Sequence, residues 1–218
     1  DDEFLRLARE GRAIYCPTLT VLDGYRRLLE AVAAGRAPVP DDPGGCVDPD
    51  TLARIARTAA LGPGDPDPGV AARREARYEA FARHAPANLR RALEAGIPVA
   101  MGTDAGNPLT LHGPSVYAEM EAMQAAGLSP MEVIVASTRG GAMAMGRLKE
   151  LGTVEAGKVA DLLVLDADPT REVGSFRRIR YVIRGGVVRT AGELRSSPSP
   201  PPQASRPGRS GHSCRASA

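Results

Sequence analysis

The chain has 218 residues, a formal net charge of +2 and three cysteines. This near-neutral balance gives no reason to expect a nucleic acid or an anionic membrane as a partner, and no stretch reaches the roughly 20 apolar residues of a membrane span. Three widely spaced cysteines without a Cys-x-x-Cys pair are typical of a reduced protein, so we expect a cytoplasmic location. Cys16, at the end of a short apolar run, is expected to be a small core residue.

Apolar periodicity predicts the elements of the first hundred residues. In chain order they are a helix over 1–10, a strand over 13–16, a helix over 20–35, a short helix over 49–60, a helix over 71–83 and another helix over 86–96. Asp48 is the expected N-cap of the short helix, and Pro86 is expected to start a new helix. The Pro/Gly-rich segments 36–48 and 61–69 are predicted loops, either surface decoration or a lid over a cleft.

A short apolar run, residues 97–101, is followed by Gly102-Thr103-Asp104-Ala105-Gly106. This pattern is typical of a buried strand whose C-terminal end opens into a loop, and α/β folds carry their chemistry at such ends. A carboxylate held there can bind a metal or accept a proton. The same residues also suit an ordinary turn, in which Asp104 does no more than cap the chain reversal.

The elements after this loop are predicted from helical spacing and from capping residues. A helix over 115–126 carries Met120 and Met123 on one face, which indicates core packing. Ser129-Pro130-Met131-Glu132 is a capping box with Pro at the first helical position, so a helix is predicted to begin there and to continue to Ala136, followed by a further helix over 137–145. Gly140 and Gly141 within it would permit close approach of a neighbouring segment.

The C-terminal third contains predicted strands and then a tail. Residues 159–165 form an apolar run interrupted only by Asp161, and residues 179–189 are predicted to form a hairpin that turns on Gly185-Gly186. From 192 to 218 the chain is rich in Pro, Ser and Arg and has no apolar periodicity, so we expect a disordered tail.

Five blocks of the sequence, in this order, resemble the C-terminal portion of the metal-dependent amidohydrolase superfamily, and within it the imidazolonepropionase-like and Xaa-Pro dipeptidase-like members. The blocks are Gly102-Thr103-Asp104-Ala105-Gly106, then Leu111-His112-Gly113, then Glu119, then residues 126–132 (AGLSPME) and residues 151–166 (LGTVEAGKVADLLVLD). The resemblance extends in order from about residue 1 to residue 189.

The resemblance implies an α/β fold, a (β/α)8 TIM-type barrel of which this chain holds the last two strands and their helices. The barrel part would cover 1–150 with a helical insertion at about 20–96, and 151–191 would supply strands of a small C-terminal β-sandwich. A complete barrel of this type needs roughly 250 residues before its β-sandwich is added. We therefore expect this chain to be one part of a larger protein.

The resemblance also implies the site. Asp104 matches the aspartate at the end of the eighth barrel strand, which makes it the expected catalytic residue and a metal ligand. His112 matches a His-Gly near the substrate and is the expected substrate-binding residue, although a solvent-facing loop histidine fits its position equally well. The family's cofactor is a divalent metal, here expected to be zinc as one or two ions, and its other ligands have no counterpart in this sequence.

The implied function is metal-dependent hydrolysis of carbon–nitrogen bonds in a cyclic amide or dipeptide-like substrate. We expect the complete protein to perform it and this chain alone to be inactive. The alternative is a non-catalytic or split remnant that binds a complementary barrel-forming partner. The expected partners are accordingly a small-molecule substrate and either a complementary N-terminal half or further copies of the chain.

Overall fold

A computed structural model describes residues 2–42, 44–60 and 68–196. Its helices are α1 Asp2–Glu10, α2 Thr20–Ala33, α3 Pro49–Arg57, α4 Pro68–Glu94, α5 Ser115–Ala125, α6 Pro130–Val135, α7 Gly141–Ala144 and α8 Ala191–Ser196. Its strands are β1 Leu162–Leu165, β2 Ile179–Arg184 and β3 Val187–Thr190. Turns of 3₁₀-helix lie at Thr58–Ala60 and Val173–Arg177, and a π-helical segment at Ala136–Gly140 joins α6 to α7. No helix in these described ranges is long and apolar enough to cross a membrane.

The predicted helices α1, α2, α3 and α5 are confirmed to within one or two residues, with α3 prolonged by its 3₁₀ turn. Local chemistry explains this agreement. Asp48 caps α3 as predicted, because its side chain accepts the backbone N–H of Thr51 at 2.9 Å. An N-cap of this kind satisfies one of the donors that the first helical turn leaves without a partner.

Two extended segments, residues 13–16 and 97–101, run parallel to each other through a single bridge between Tyr15 and Val99. The N–H of Tyr15 donates to the carbonyl of Pro98 at 2.8 Å, and the N–H of Ala100 donates to the carbonyl of Tyr15 at 3.0 Å. We call them the first and second parallel segments. Within the described ranges neither segment pairs with any other strand.

The core lies between the second parallel segment and the helices α4, α5 and α6. Its fully buried side chains include Leu89, Met123 and Val133, packed with Val99 and Met120. Met120 and Met123 therefore confirm the predicted core face of α5. Their packing places the start of the second parallel segment inside the fold and its end at the rim.

Pro86 does not begin a new helix, and that prediction was wrong. The helix α4 runs without a break from Pro68 to Glu94 with Pro86 inside it. Proline removes one backbone hydrogen bond there, at a cost of about 3 kcal/mol. Ala85 and Leu89, on either side of Pro86, are both buried in the interior, and this burial keeps the helix continuous through the proline.

The predicted capping box at the start of α6 is confirmed. The backbone N–H of Ser129 donates to Glu132 Oε2 at 2.7 Å, and the N–H of Glu132 donates to Ser129 Oγ at 3.3 Å. The helix then widens into its π turn, where the carbonyl of Ala136 accepts the N–H of Met101 at 3.1 Å. This bond ties the helix to the second parallel segment.

The strands form one antiparallel sheet in the order β1-β2-β3. The predicted hairpin turns on Gly185 and Gly186, both at positive φ, and is confirmed. The predicted disordered tail is wrong for residues 192–196, which belong to α8, because Glu193 accepts the N–H of Thr190 at 2.7 Å and starts a helical turn. Residues 197–218 lie outside the described residues.

The stretch between β1 and β2 docks the sheet on α5. Val173 is buried in the core, and its N–H donates to Gln124 Oε1 at 3.0 Å. Arg177 adds a polar clamp: its Nε donates to Glu121 Oε1 at 2.6 Å, and its Nη2 donates to Asp41 Oδ2 at 2.7 Å. In the described residues this stretch thus attaches the sheet to the helical part through apolar packing of Val173 and Phe176 and through the ion pairs of Arg177.

Candidate functional site

Asp104 lies at the end of the second parallel segment and is exposed to solvent. Its backbone has a φ of 49°, in the left-handed region that non-glycine residues rarely occupy. Its carbonyl accepts the side-chain N–H of Asn107 at 2.9 Å. Asp104 is therefore part of a turn and at the same time presents a carboxylate at the rim of the fold, so both sequence interpretations describe features that are present.

The loop that follows Asp104 is seated on α2. The hydroxyl of Tyr25 donates to Asn107 Oδ1 at 3.0 Å, and the loop closes on itself through bonds of Thr110 with Gly106 and Asn107 at 2.9 and 3.0 Å. Gly24, next to Tyr25, has no side chain at the point where a Cβ would overlap the Pro108 carbonyl. Because Gly24 has no side chain, the loop can lie directly against this helix.

The exit of the first parallel segment is anchored by Glu119 of α5, which is completely buried. Its carboxylate accepts the N–H of Leu19 at 2.7 Å, the N–H of Thr20 at 2.9 Å and the Thr20 hydroxyl at 2.8 Å. Burial raises the pKa of Glu119, and these hydrogen bonds partly oppose the rise. Thr18, just before Leu19, also has a positive φ, 45°, so both segment exits carry backbone strain.

Cys16 is exposed, and its prediction as a core residue was wrong. It stands where the first parallel segment leaves the interior, so its side chain reaches the rim. Its sulfur lies against Gly102, where an added Cβ would be 2.6 Å from Sγ. Partial burial raises the pKa of the Cys16 thiol, and the charges of Glu119 and Asp104 raise it further. The thiol is therefore not poised as a thiolate nucleophile.

His112 lies in the exposed loop before α5, followed by Gly113 at a φ of 89°. No hydrogen bond or ion pair joins His112 to Asp104 in the described part of the chain. The two predicted site residues thus belong to the same connection between the second parallel segment and α5, without a hydrogen bond between their side chains in the described residues.

The described residues do not form a metal centre by themselves. No group of three or more His, Cys, Asp or Glu side chains within them is placed to hold a metal ion. A catalytic zinc usually has three protein ligands and one open position. Asp104 offers one oxygen ligand, whereas the oxygens of Glu119 are engaged by the backbone and hydroxyl donors of Leu19 and Thr20.

Sequence reasoning named Glu119 as one of the five family blocks without giving it a role, and it did not single out Tyr25 or Asn107. For Glu119 a signal was present, because it lies four residues before Met123 and three after Val116, on the face of α5 that packs into the core. A carboxylate on an apolar helix face is expected to be buried with hydrogen-bond partners. The Tyr25–Asn107 contact joins residues 82 positions apart, and no local pattern indicates it.

Comparison with known proteins places this arrangement in a family. The sequence profile of the amidohydrolase family matches residues 51–189. The imidazolonepropionase of Shouchella clausii is 44% identical over 113 residues, which cover 50% of this chain and 24% of the relative. The imidazolonepropionase of Anaeromyxobacter dehalogenans is 35% identical over 181 residues, covering 73% of this chain and 42% of the relative. The chain thus spans less than half the length of these curated relatives.

Solved structures of similar fold cover most of this chain. A Xaa-Pro dipeptidase with methionine in its active site superimposes with a TM-score of 0.54 at 21% identity, over 87% of this chain and 37% of its own. An amidohydrolase superimposes with a TM-score of 0.52 at 25% identity, again over 87% of this chain and 37% of its own. The family expected from the five sequence blocks is confirmed. The chain belongs to the amidohydrolase family.

Proposed function

We propose that this chain is the C-terminal part of a (β/α)8-barrel enzyme that hydrolyses carbon–nitrogen bonds, with Asp104 as its proton-transferring residue. The observation that carries the proposal is the position of Asp104, an exposed carboxylate on a strained turn at the end of the second parallel segment. Strain of this kind costs about 1–3 kcal/mol and persists where the surroundings enforce it, often at functional sites. The first and second parallel segments would be the seventh and eighth barrel strands.

The proposed reaction needs a group that takes a proton and returns it. Water attacks the carbonyl carbon of the substrate, the Asp104 carboxylate accepts a proton from that water, and a C–O bond forms. When the C–N bond breaks, the same proton passes to the leaving nitrogen, so that the carboxylate is restored. A positioned acid–base residue contributes about 10²–10⁴-fold to such a reaction.

We propose a cyclic amide or a dipeptide-like compound as the substrate, since the relatives are named imidazolonepropionase and Xaa-Pro dipeptidase. His112, exposed in the loop before α5, is the proposed contact to the substrate. A divalent metal, with zinc as the first candidate, would lower the pKa of the attacking water, and Asp104 is its proposed ligand from this chain. The remaining ligands would come from the part of the barrel that this chain does not contain.

The test compares the chain alone with the chain joined to a complementary barrel half, on an imidazolone carboxylate and on Xaa-Pro dipeptides. We expect turnover only with the complementary half. Asp104→Asn should then lower kcat by about 10²-fold or more, whereas the control Asp166→Asn leaves it unchanged. His112→Asn should raise KM, with His84→Asn as its control. Full activity of the Asp104→Asn variant would refute the proposal.

A second candidate function is partner binding without catalysis, and a groove beside the second parallel segment favours it. The groove has a volume of about 440 Å³, and its lining includes Ile97, Val99, Leu128, Met131, Val135 and Met143. Met131 and Val135 are exposed, at 50% and 41%. A strand of a complementary barrel-forming partner would extend the parallel pair here and cover these apolar side chains.

Val135→Lys tests this candidate, because a charge in the groove would oppose burial of an apolar partner. The probe is the part of the Anaeromyxobacter dehalogenans relative that this chain does not match. We expect Val135→Lys to weaken its capture at least tenfold, while Val154→Lys, at an 84% exposed position outside the groove, leaves capture unchanged. Equal capture by both variants would exclude the groove as the docking surface.

A further inference from the structure

Two consecutive side-chain hydrogen bonds, one from Asn107 and one from Tyr25, connect the turn that carries Asp104 to the helix α2. Asn107 Nδ2 donates to the Asp104 carbonyl at 2.9 Å, and the hydroxyl of Tyr25 donates to Asn107 Oδ1 at 3.0 Å. The two bonds use both ends of the Asn107 amide, so they fix its orientation as well as its position. Tyr25 belongs to α2, and the turn therefore depends on a helix distant in sequence.

Independent contacts hold α2 itself in register with the turn. Its first residue, Thr20, is bound by the buried carboxylate of Glu119 through its N–H and its hydroxyl. One turn further along, Gly24 leaves the space that the Pro108 carbonyl occupies. The helix is thereby fixed at its N-terminus and against the loop, which places the Tyr25 hydroxyl at the Asn107 amide.

The positive φ of Asp104 requires such support. The left-handed conformation is unfavourable for a non-glycine residue, although aspartate tolerates it better than most. The net stabilisation from a single hydrogen bond is of the same order as this cost, so one bond to the Asp104 carbonyl can offset it. Because the Asn107 amide can rotate when its oxygen is not held, the contribution of this bond depends on Tyr25.

We propose that Tyr25 and Asn107 are positioning residues for Asp104: they hold its backbone in the left-handed turn and so set the carboxylate at the rim of the second parallel segment. This inference rests on the proposed function for its catalytic consequence, and on hydrogen-bond geometry for its structural part. The helix α2 then belongs to the machinery of the site and is not a surface addition.

Tyr25→Phe is the informative variant, because it removes one hydroxyl and leaves the aromatic ring unchanged. The matched control is Tyr78→Phe on α4, which removes a tyrosine hydroxyl away from this turn. Asn107→Ala provides a second variant that removes the bond to Asp104 directly. All three are made in the full chain and examined by NMR.

Two readouts require no catalysis. One is the exchange rate of the Asn107 side-chain amide protons. The other is the φ of Asp104, obtained from the three-bond coupling between its amide proton and Hα together with the intensity of the NOE cross-peak between the same two protons. We expect Tyr25→Phe to speed the amide exchange by roughly three- to tenfold, because the Asn107 amide is then free to rotate and its N–H loses the bond to the Asp104 carbonyl. Both Tyr25→Phe and Asn107→Ala should shift Asp104 towards negative φ, and Tyr78→Phe should change neither readout.

The catalytic consequence is measured on the chain joined to its complementary barrel half. Tyr25→Phe should lower kcat several-fold with little change in KM, since it acts on the proton-transferring residue and not on substrate binding. If Tyr25→Phe leaves the Asp104 φ and the amide exchange as they were, the inference is wrong. If both NMR readouts change but the unsubstituted protein hydrolyses no C–N bond, the proposed function fails while the positioning of Asp104 stands.

Discussion

The carboxylate of Glu119 binds Thr20 twice, accepting its backbone N–H at 2.9 Å and its hydroxyl at 2.8 Å. The two residues are 99 positions apart, and Glu119 is entirely buried at the contact. A buried carboxylate must satisfy its oxygens with protein donors, because water does not reach them. The bond therefore joins α5 to the start of α2 and fixes the exit of the first parallel segment.

Glu119→Gln should destabilise the fold. The amide has one acceptor oxygen in place of two and brings N–H groups towards the N–H of Thr20, so a buried donor loses its partner. We expect the free energy of unfolding to fall by about 1–3 kcal/mol. Urea denaturation of the full chain, followed by far-UV circular dichroism, measures this change.

The difference in the free energy of unfolding between the wild type and Glu119→Gln should depend on pH, because burial raises the pKa of Glu119. A carboxyl group whose pKa is higher in the folded state binds protons more tightly when folded, so its stabilising contribution is complete at low pH. That contribution is lost as the pH rises from the ordinary range of a glutamate through its higher folded value. The difference in the free energy of unfolding between the wild type and Glu119→Gln should therefore become smaller as the pH rises. A difference that becomes larger would contradict a raised pKa for Glu119.

The neighbouring glycines Gly140 and Gly141 should respond in opposite ways to alanine. Both have helical backbone angles, with φ of −60°. A Cβ at Gly140 would overlap the carbonyl of Val99, whereas a Cβ at Gly141 meets nothing within 4 Å. We expect Gly140→Ala to cost about 1–3 kcal/mol and Gly141→Ala to stabilise by up to about 1 kcal/mol. Thermal unfolding of the two variants measures these effects, and equal effects would show that the π-helical segment Ala136–Gly140 does not pack closely on the second parallel segment.

Features set by residues close in sequence were predictable. The capping box at Ser129 and the N-cap at Asp48 each join residues three positions apart, and the hairpin turns on two adjacent glycines. The family was predictable as well, because the block around Asp104 is contiguous. The rim position of Asp104 followed from the same pattern, and its role as catalyst and metal ligand stays a prediction.

Features that depend on distant contacts were not predictable. Pro86 reads as a helix start in isolation, and only burial of Ala85 and Leu89 keeps α4 continuous through it. Cys16 follows apolar residues, yet the segment leaves the interior just there. The hold of Tyr25 on the Asp104 turn needs a tyrosine and an asparagine 82 positions apart, which no periodicity or spacing rule brings together.

The ion pairs of Arg177 with Glu121 and Asp41 are predicted to stabilise the attachment of the sheet to the helical part. Its guanidinium donates to both Glu121 oxygens, at 2.6 and 2.9 Å, and to both Asp41 oxygens, at 3.0 and 2.7 Å. These two hydrogen-bonded carboxylates raise the pKa of Arg177, so it stays charged throughout the accessible pH range. Lysine cannot reproduce the planar fork that binds two carboxylates at once.

Arg177→Lys should therefore lower the free energy of unfolding by about 1–2 kcal/mol, a value reduced by the partial exposure of both carboxylates. The matched control is Arg180→Lys on β2, whose exposed pair with Asp166 spans 3.9 Å and should be worth less than about 0.5 kcal/mol. Because salt screens exposed charges, the effect of Arg177→Lys should shrink in 1 M salt, where the Debye length is about 3 Å. If the two lysine variants unfold at the same urea concentration, Arg177 contributes no more than a surface pair, and the apolar contacts of Val173 and Phe176 attach the sheet to the core.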